Sequence, residues 1–338
     1  MRRIAPGSRA CAIASMPLLT YALRRVAQAI PLILIIIGIN FALIHAAPGD
    51  PVDVLMGSSE ADPAMVAELR ADFGLDQPIP VQLVRYYAKV LTLDLGESFR
   101  YREPVLDLIA SRLPATLLLM GTAIVVSTLI AVALGVVAAL RPYSVLDNAT
   151  TFMALAGYSM PVFWLGQLLL IVFALGLDWF PAQGMVSIRA PAEGFARVLD
   201  IAHHLVLPAL TYSLYHLALM FRLTRAKMQE VLQQDFIQTA RAKGLSESQM
   251  IFSHALRNAM LPIVTVLGLN FGFMLAGSVL TETVFAWPGT GRLLYEAILA
   301  RDYPVLMGLF VCLSSMVVAV NLATDIAYAL IDPRVVYQ

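Results

Sequence analysis

Asp235–Pro262, DFIQTARAKGLSESQMIFSHALRNAMLP, is a charged segment set between two apolar stretches of the chain. Asp235 is suited to N-cap a short helix, and Gln238, three residues on, would complete a capping box. Gly244 supplies the left-handed residue that ends such a helix, with Leu245 as its apolar companion. Ser246 and Gln249 form a second capping box that opens the next helix. One glycine between two capped helices makes a rigid elbow, a shape that a partner protein can grip. An ordinary amphipathic connector fits the same periodicity, so the rest of the chain must decide between them.

The 338 residues are 59% hydrophobic and 14% charged, against about 45–50% apolar and about 25% charged in an average soluble domain. A bilayer is therefore the expected solvent. A spanning helix takes about 20 apolar residues, and six windows meet or approach that length: Val26–Ala46, Ala115–Leu140, Phe152–Leu175, Leu205–Leu223, Pro262–Thr281 and Val305–Leu330. The fourth is interrupted by Tyr212, Tyr215 and His216. Backbone amides go unsatisfied in lipid unless they pair internally, and long apolar runs without alternation exclude a barrel. The expected fold is an all-α membrane protein with six transmembrane helices. Pro31, Pro161 and Pro208 should kink or end helices locally.

Basic residues orient the bundle. Arg2, Arg3, Arg9, Arg24 and Arg25 precede the first window with no acid among them. The 224–261 connection and its flanks carry Arg222, Arg225, Lys227, Arg241, Lys243 and Arg257 against Glu230, Asp235 and Glu247. The 47–114 connection holds eleven acidic residues against six basic ones. The positive-inside rule then places residues 1–25, the 224–261 loop and the 331–338 tail in the cytoplasm. Residues 47–114 and 282–304 lie outside. Arg2-Arg3 and the apolar residues after them look like a signal peptide, but Arg24-Arg25 directly before a full span fits an uncleaved anchor better. Translation from either Met1 or Met16 is compatible with that reading.

Within residues 47–114, Pro63–Phe73 reads as a short helix capped by Asp62 and stopped by Gly74. Val81–Leu91 is a second amphipathic stretch. A connection of this size is marginal for a core of its own, so it should pack as a cap over the outer mouth. It would serve as a structural lid or help receive a binding protein. Trp287-Pro288-Gly289 is either an interfacial anchor and turn or part of a gating segment. Asn40, His45, Gln167, Tyr212, Tyr215, His216, Asn270 and Asn321 are polar groups inside spans, suited to interhelical contacts or to a wet pathway. Asp325 lies near the cytoplasmic end of its span, where pairing with a basic residue is expected. Gly268, Gly272, Ala276 and Gly277 favour close packing of the fifth helix, for which a second subunit is a candidate.

Enzyme classes fare poorly. None of the three lysines, Lys89, Lys227 and Lys243, follows a glycine, so no phosphate loop exists and ATP hydrolysis is not expected of this chain. His203-His204 lacks a spaced third ligand, Cys11 and Cys312 suggest no disulfide framework, and no metal site or cofactor is expected. Zero net charge gives no electrostatic reason for a nucleic-acid partner. The rival transport class is an ion-gradient-driven secondary transporter. It would show related halves, discontinuous helices and a central carboxylate, and none of these is legible.

Gln238-Thr239-Ala240, three residues, then Gly244 resembles the EAA loop of ABC importer permeases, in which Glu-Ala-Ala precedes a glycine by three residues. The longer run TARAKGLS…HALRNAMLP is similar to the dipeptide/oligopeptide branch in its B-type form. PGDP at Pro48–Pro51, FGLDQP at Phe73–Pro78, DLGES at Asp94–Ser98, LTETVFAWPGTGRLL at Leu280–Leu294, RDYP at Arg301–Pro304 and DPR at Asp332–Arg334 extend the likeness along the chain. Gln238 stands in the place of the family's Glu, and Arg257 where other importer branches carry a proline.

The resemblance implies a type I ABC importer permease bundle with a cytoplasmic coupling helix. It implies partners besides the lipid bilayer: a second homologous permease, two cytoplasmic ATPases and an extracytoplasmic substrate-binding protein. The implied ATPase-coupling residues are Asp235, Phe236, Gln238, Thr239, Ala240, Arg241, Ala242, Lys243 and Gly244. Tyr212, Tyr215, His216, Asn270 and Trp287 are the candidate pathway residues. The bacterial inner membrane is the implied location, and short peptides or similar small solutes are the implied cargo.

Overall fold

A computed structural model describes residues 18–46, 76–187 and 193–331. The described residues are mostly helical. The first are α1 (Leu18–Ala46), α2 (Ile79–Leu91), α3 (Val105–Leu140), α4 (Val145–Ser159) and α5 (Val162–Leu169), which continues through a π-helical stretch, Leu170–Gly176. Next come α6 (Gly194–Leu232), α7 (Asp235–Ala242) and α8 (Glu247–Gln249), which runs through π-helical Met250–Leu256 into α9 (Arg257–Val284). α10 (Thr290–Ala300) and α11 (Tyr303–Ile331) complete the described residues. The short helix expected at Pro63–Phe73, and the DPR motif, lie outside the described residues.

Among the described residues, four continuous helices are long and apolar enough to cross a membrane, over Leu23–Leu43, Val105–Leu140, Gly194–Leu232 and Tyr303–Thr324. Two bent pairs bring the number to six if each pair is counted as one span. Val145–Ser159 and Val162–Gly176 meet at 106°, and Glu247–Met260 and Pro262–Gly268 at 44°. The sharper break has a local cause. Proline disfavours the helical region for the residue before it, and Met160 is extended, at φ −87° and ψ 135°. Pro161 then opens α5 in a new direction. The break thus falls at Pro161, one of the three prolines expected to kink or end a helix, and only its 106° size is illegible in the sequence. Pro31 and Pro208 stay inside continuous helices.

α3 and α6 run side by side in the same direction and form the centre of the bundle. At one end Leu119, Met120 and Ala123 pack with Leu205, Ala209 and Tyr212. At the other Val136 and Ala139 meet Met228 and Val231. Between them the backbones approach closely: a Cβ added at Gly135 would lie 2.7 Å from Thr224 Cβ. The bundle therefore has two distinct ends. One carries α7 and the other carries α10, which packs through Leu293 and Ala297 on Val105, Leu108 and Ile109.

Candidate functional site

The elbow expected around Gly244 is present. Gly244 has φ +79°, in the left-handed region where a Cβ costs about 1–2 kcal/mol. The Leu245 amide donates to the Ala240 carbonyl at 3.3 Å and the Gly244 amide to Arg241 at 3.0 Å, the paired bonds of a Schellman turn. Ser246 and Gln249 form the reciprocal capping box. The first cap differs from the expectation. Gln234 is the N-cap residue, with no side-chain cap bond, and Asp235 is already the first helical residue. Asp235 there complements the helix dipole instead of bonding an amide.

α7 has two faces. Ile237 is buried among Val136, Ala139, Met228 and Val231, at the ends of α3 and α6, and Ala240, three residues on, is buried as well. Phe236, Gln238, Thr239, Arg241, Ala242 and Lys243 are exposed, Phe236 at 38%. Among the expected coupling residues, Ala240 thus faces its own chain. Arg241 pairs with Glu247 across the elbow, at 3.4 Å.

Just before the elbow, Arg225 of α6 reaches the buried Asp147 in the first turn of α4. The Tyr143 amide donates to the same carboxylate at 2.9 Å. In the sequence Arg225 counts only as one loop charge, and Asp147 escapes notice. Its available signal is a single carboxylate three residues after Ser144 in an apolar region.

The opposite end is tied by further carboxylates whose partners the sequence does not indicate. Glu282 accepts from Thr116 Oγ1 at 2.8 Å and from the Arg292 amide at 2.9 Å, so it sits at the start of α10 where free amides and the dipole favour an anion. Asp302 accepts from the Ser98 hydroxyl at 2.5 Å and from the amides of Phe99 and Arg100 at 3.3 and 3.2 Å. The DLGES and RDYP motifs, far apart in sequence, are thereby one contact. Beside them Glu296 accepts from the Tyr101 hydroxyl at 2.6 Å and from Arg292 Nε at 2.8 Å. Burial opposes ionisation of Glu296, but these bonds and the guanidinium outweigh it and hold the carboxyl below the usual glutamate range.

The five candidate pathway residues separate. Trp287 is fully buried and its indole donates to the Ala115 carbonyl at 2.8 Å, so within this chain it is a core residue. Tyr212 and His216 are buried between α3 and α6, with His216 Nε2 3.5 Å from the Thr128 hydroxyl. Asn270 donates to Val266 on its own helix at 2.7 Å. Tyr215 alone of the five presents a large surface, stacked on Tyr158 of α4 with ring centroids 5.3 Å apart. Tyr158 carries no signal in the sequence, because only the fold places it opposite Tyr215.

The helical bundle, with an exposed, elbow-ended helix at one end, has the fold of a type I ABC importer permease. A chain of the MetNI methionine ABC transporter, solved in inward-facing conformations, matches it at a TM-score of 0.52. The match covers 67% of this chain and 96% of that one at 17% identity, and shows the fold alone. The chain belongs to the family of binding-protein-dependent transport system inner membrane components, whose model matches residues 131–337, with the family's N-terminal model on residues 18–120. The di/tripeptide transport system permease protein DppB of Pseudomonas aeruginosa is 41% identical, over 95% of this chain and 100% of that protein. The dipeptide permease DppB of Escherichia coli and the oligopeptide permease AppB of Bacillus subtilis are each 40% identical, over 94% of this chain and 99% of their own length. The resemblance to the peptide branch is therefore matched along nearly the whole sequence.

Proposed function

We propose that this chain is the transmembrane permease subunit of an ABC importer that takes short peptides from an extracytoplasmic binding protein. The observation that carries the reading is the near-full-length identity to three permeases of di-, tri- and oligopeptides. In this reading a second homologous permease completes the pathway and two cytoplasmic ATPases supply the energy. The termini and α7 lie in the cytoplasm, as the basic residues around α7 suggest.

The geometry of α7 supports a coupling role. Ile237 anchors it to the ends of α3 and α6 while Phe236, Thr239 and Lys243 project outward, the arrangement of a helix laid into a partner's groove. ATP-driven closure of the ATPases would draw two such helices together and rock the bundles to face outward. Moving that equilibrium from 1:99 to 99:1 takes about 5.5 kcal/mol of differential binding. A helix anchored on one face and locked by the Gly244 turn transmits such a bias; a loose loop would dissipate it. The exposed Tyr215–Tyr158 stack supplies aromatic surface for a peptide in transit.

Uptake of a labelled dipeptide into proteoliposomes holding the whole transporter tests the reading. Uptake should cease when the ATPase phosphate-loop lysine is replaced, with any ion gradient intact. Uptake that follows a proton or sodium gradient and survives that replacement would overturn it in favour of a secondary transporter.

A further inference from the structure

α2 packs on α1 as the second, descending arm of a helical hairpin. At its start Gln82 meets His45 Nε2 at 3.1 Å. One turn on, the Tyr86 ring lies 5.8 Å from that of Phe41. The Tyr87 hydroxyl donates to the Leu34 carbonyl at 2.7 Å, and Val90 is buried with Ile37 and Val311. The helix thus travels back along α1 from His45 toward the middle of the apolar stretch Leu23–Leu43. Ile37 precedes Leu43 by six residues, which places Val90 about 9 Å inside the end of that stretch at about 1.5 Å per residue.

The other side of α2 is also apolar. Val81, Val84, Ala88 and Leu91 recur at helical spacing and are all exposed, Val84 at 68% and Leu91 at 73%. Arg85 and Lys89 flank the stripe and are exposed as well. A helix in water gains nothing from a second apolar face, and its burial depth on α1 puts this face level with the exposed Ile35, Ile39 and Leu43 of the spanning helix. Amphipathic helices that lie in a membrane interface bury their apolar side about 5–10 Å into the headgroup–acyl boundary, and long basic side chains extend from there to the phosphates.

We propose that α2 is inserted in the bilayer leaflet at the Ala46 end of α1, with Val81, Val84, Ala88 and Leu91 among the acyl chains and Arg85 and Lys89 at the phosphates. The sequence alone suggests a cap packed over the outer mouth of the bundle; the contacts with α1 place α2 beside that spanning helix.

Nitroxide accessibility in the complete transporter, reconstituted in phosphatidylethanolamine–phosphatidylglycerol liposomes, tests this. Labels go on Val81→Cys, Val84→Cys and Leu91→Cys, one at a time, with Cys11 and Cys312 changed to serine. Collision with oxygen should exceed collision with a water-soluble nickel chelate severalfold, and the ratio should rise from residue 81 to 84 to 91. Equal access to both reagents means a helix in water and overturns the proposal. Exclusion of both means that protein covers the stripe, which overturns it equally. If a labelled variant fails to assemble, Val84→Trp gives the second reading, as bromine-labelled acyl chains should quench it beyond the parent protein's three tryptophans. Quenching no greater than the parent's would overturn the insertion.

Discussion

Arg225 grips Asp147 through two parallel hydrogen bonds, Nε to Oδ1 at 2.5 Å and Nη2 to Oδ2 at 2.8 Å. The two residues are 78 apart in sequence, and their pairing joins the last turns of α6 to the first turn of α4. α6 leads into α7 through two residues, while α4 leads into the 106° break. The placing of α4 therefore depends on α6 through this bidentate contact, which resists rotation as a single charge pair would not.

Removing one partner should expose that dependence. Asp147 is 1% exposed and Arg225 27% on their side chains, so Arg225→Ala leaves a carboxylate with little water and Asp147→Ala leaves a guanidinium that solvent reaches. Breaking a buried pair costs about 3–5 kcal/mol. Arg225→Ala should stand at the upper end and Asp147→Ala below it, with the double variant less destabilised than the sum. Thermal unfolding of the purified complex measures all three; additive losses would mean the two side chains do not act as a pair.

Gly244 holds the elbow at φ +79°. Gly244→Val should lower both ATPase co-purification and peptide uptake in membranes of matched protein level, and Gly244→Asn, which tolerates the left-handed region better, should lose much less. Parental ATPase binding by the valine variant would show that the turn is dispensable for coupling.

α7 predicts opposite kinds of defect on its two faces. Phe236→Ala removes exposed apolar surface and should weaken ATPase co-purification while the melting temperature stays close to the parent's, because surface changes are within about 0.5 kcal/mol. Ala240→Arg forces a long charged side chain against the chain's own bundle, where Ala240 is 8% exposed, and should lower stability itself. Equal stability of the two variants would contradict the assignment of faces.

The two ends of the bundle should lie on opposite sides of the membrane. Ser246 and Glu103 are both exposed, one beside the elbow and the other ahead of α3. In intact cells a membrane-impermeant thiol reagent should modify Glu103→Cys and spare Ser246→Cys until the membrane is opened. Labelling of Ser246→Cys from outside would reverse the orientation.

Features written in neighbouring residues are legible in the sequence by itself. The apolar windows, the Gly244 turn and the Ser246–Gln249 box depend on contacts within four or five positions, so local chemistry specifies them. Asp235 falls one residue from its expected place at a helix start for a related reason: acidic residues suit both the cap and the first turn, through different interactions. Pro161 announces a disruption, but a proline states only that the preceding residue leaves the helix. The 106° angle depends on how α4 and α5 each pack on α6. Ala240 and Phe236 both look like partner-facing residues in an eight-residue helix, and burial against the bundle separates them. The pairings of Asp147 with Arg225, Ser98 with Asp302 and Tyr158 with Tyr215 join distant segments, so periodicity holds no trace of them. Tertiary packing decides those contacts, because a side chain's partner across the bundle is set by where whole helices come to rest.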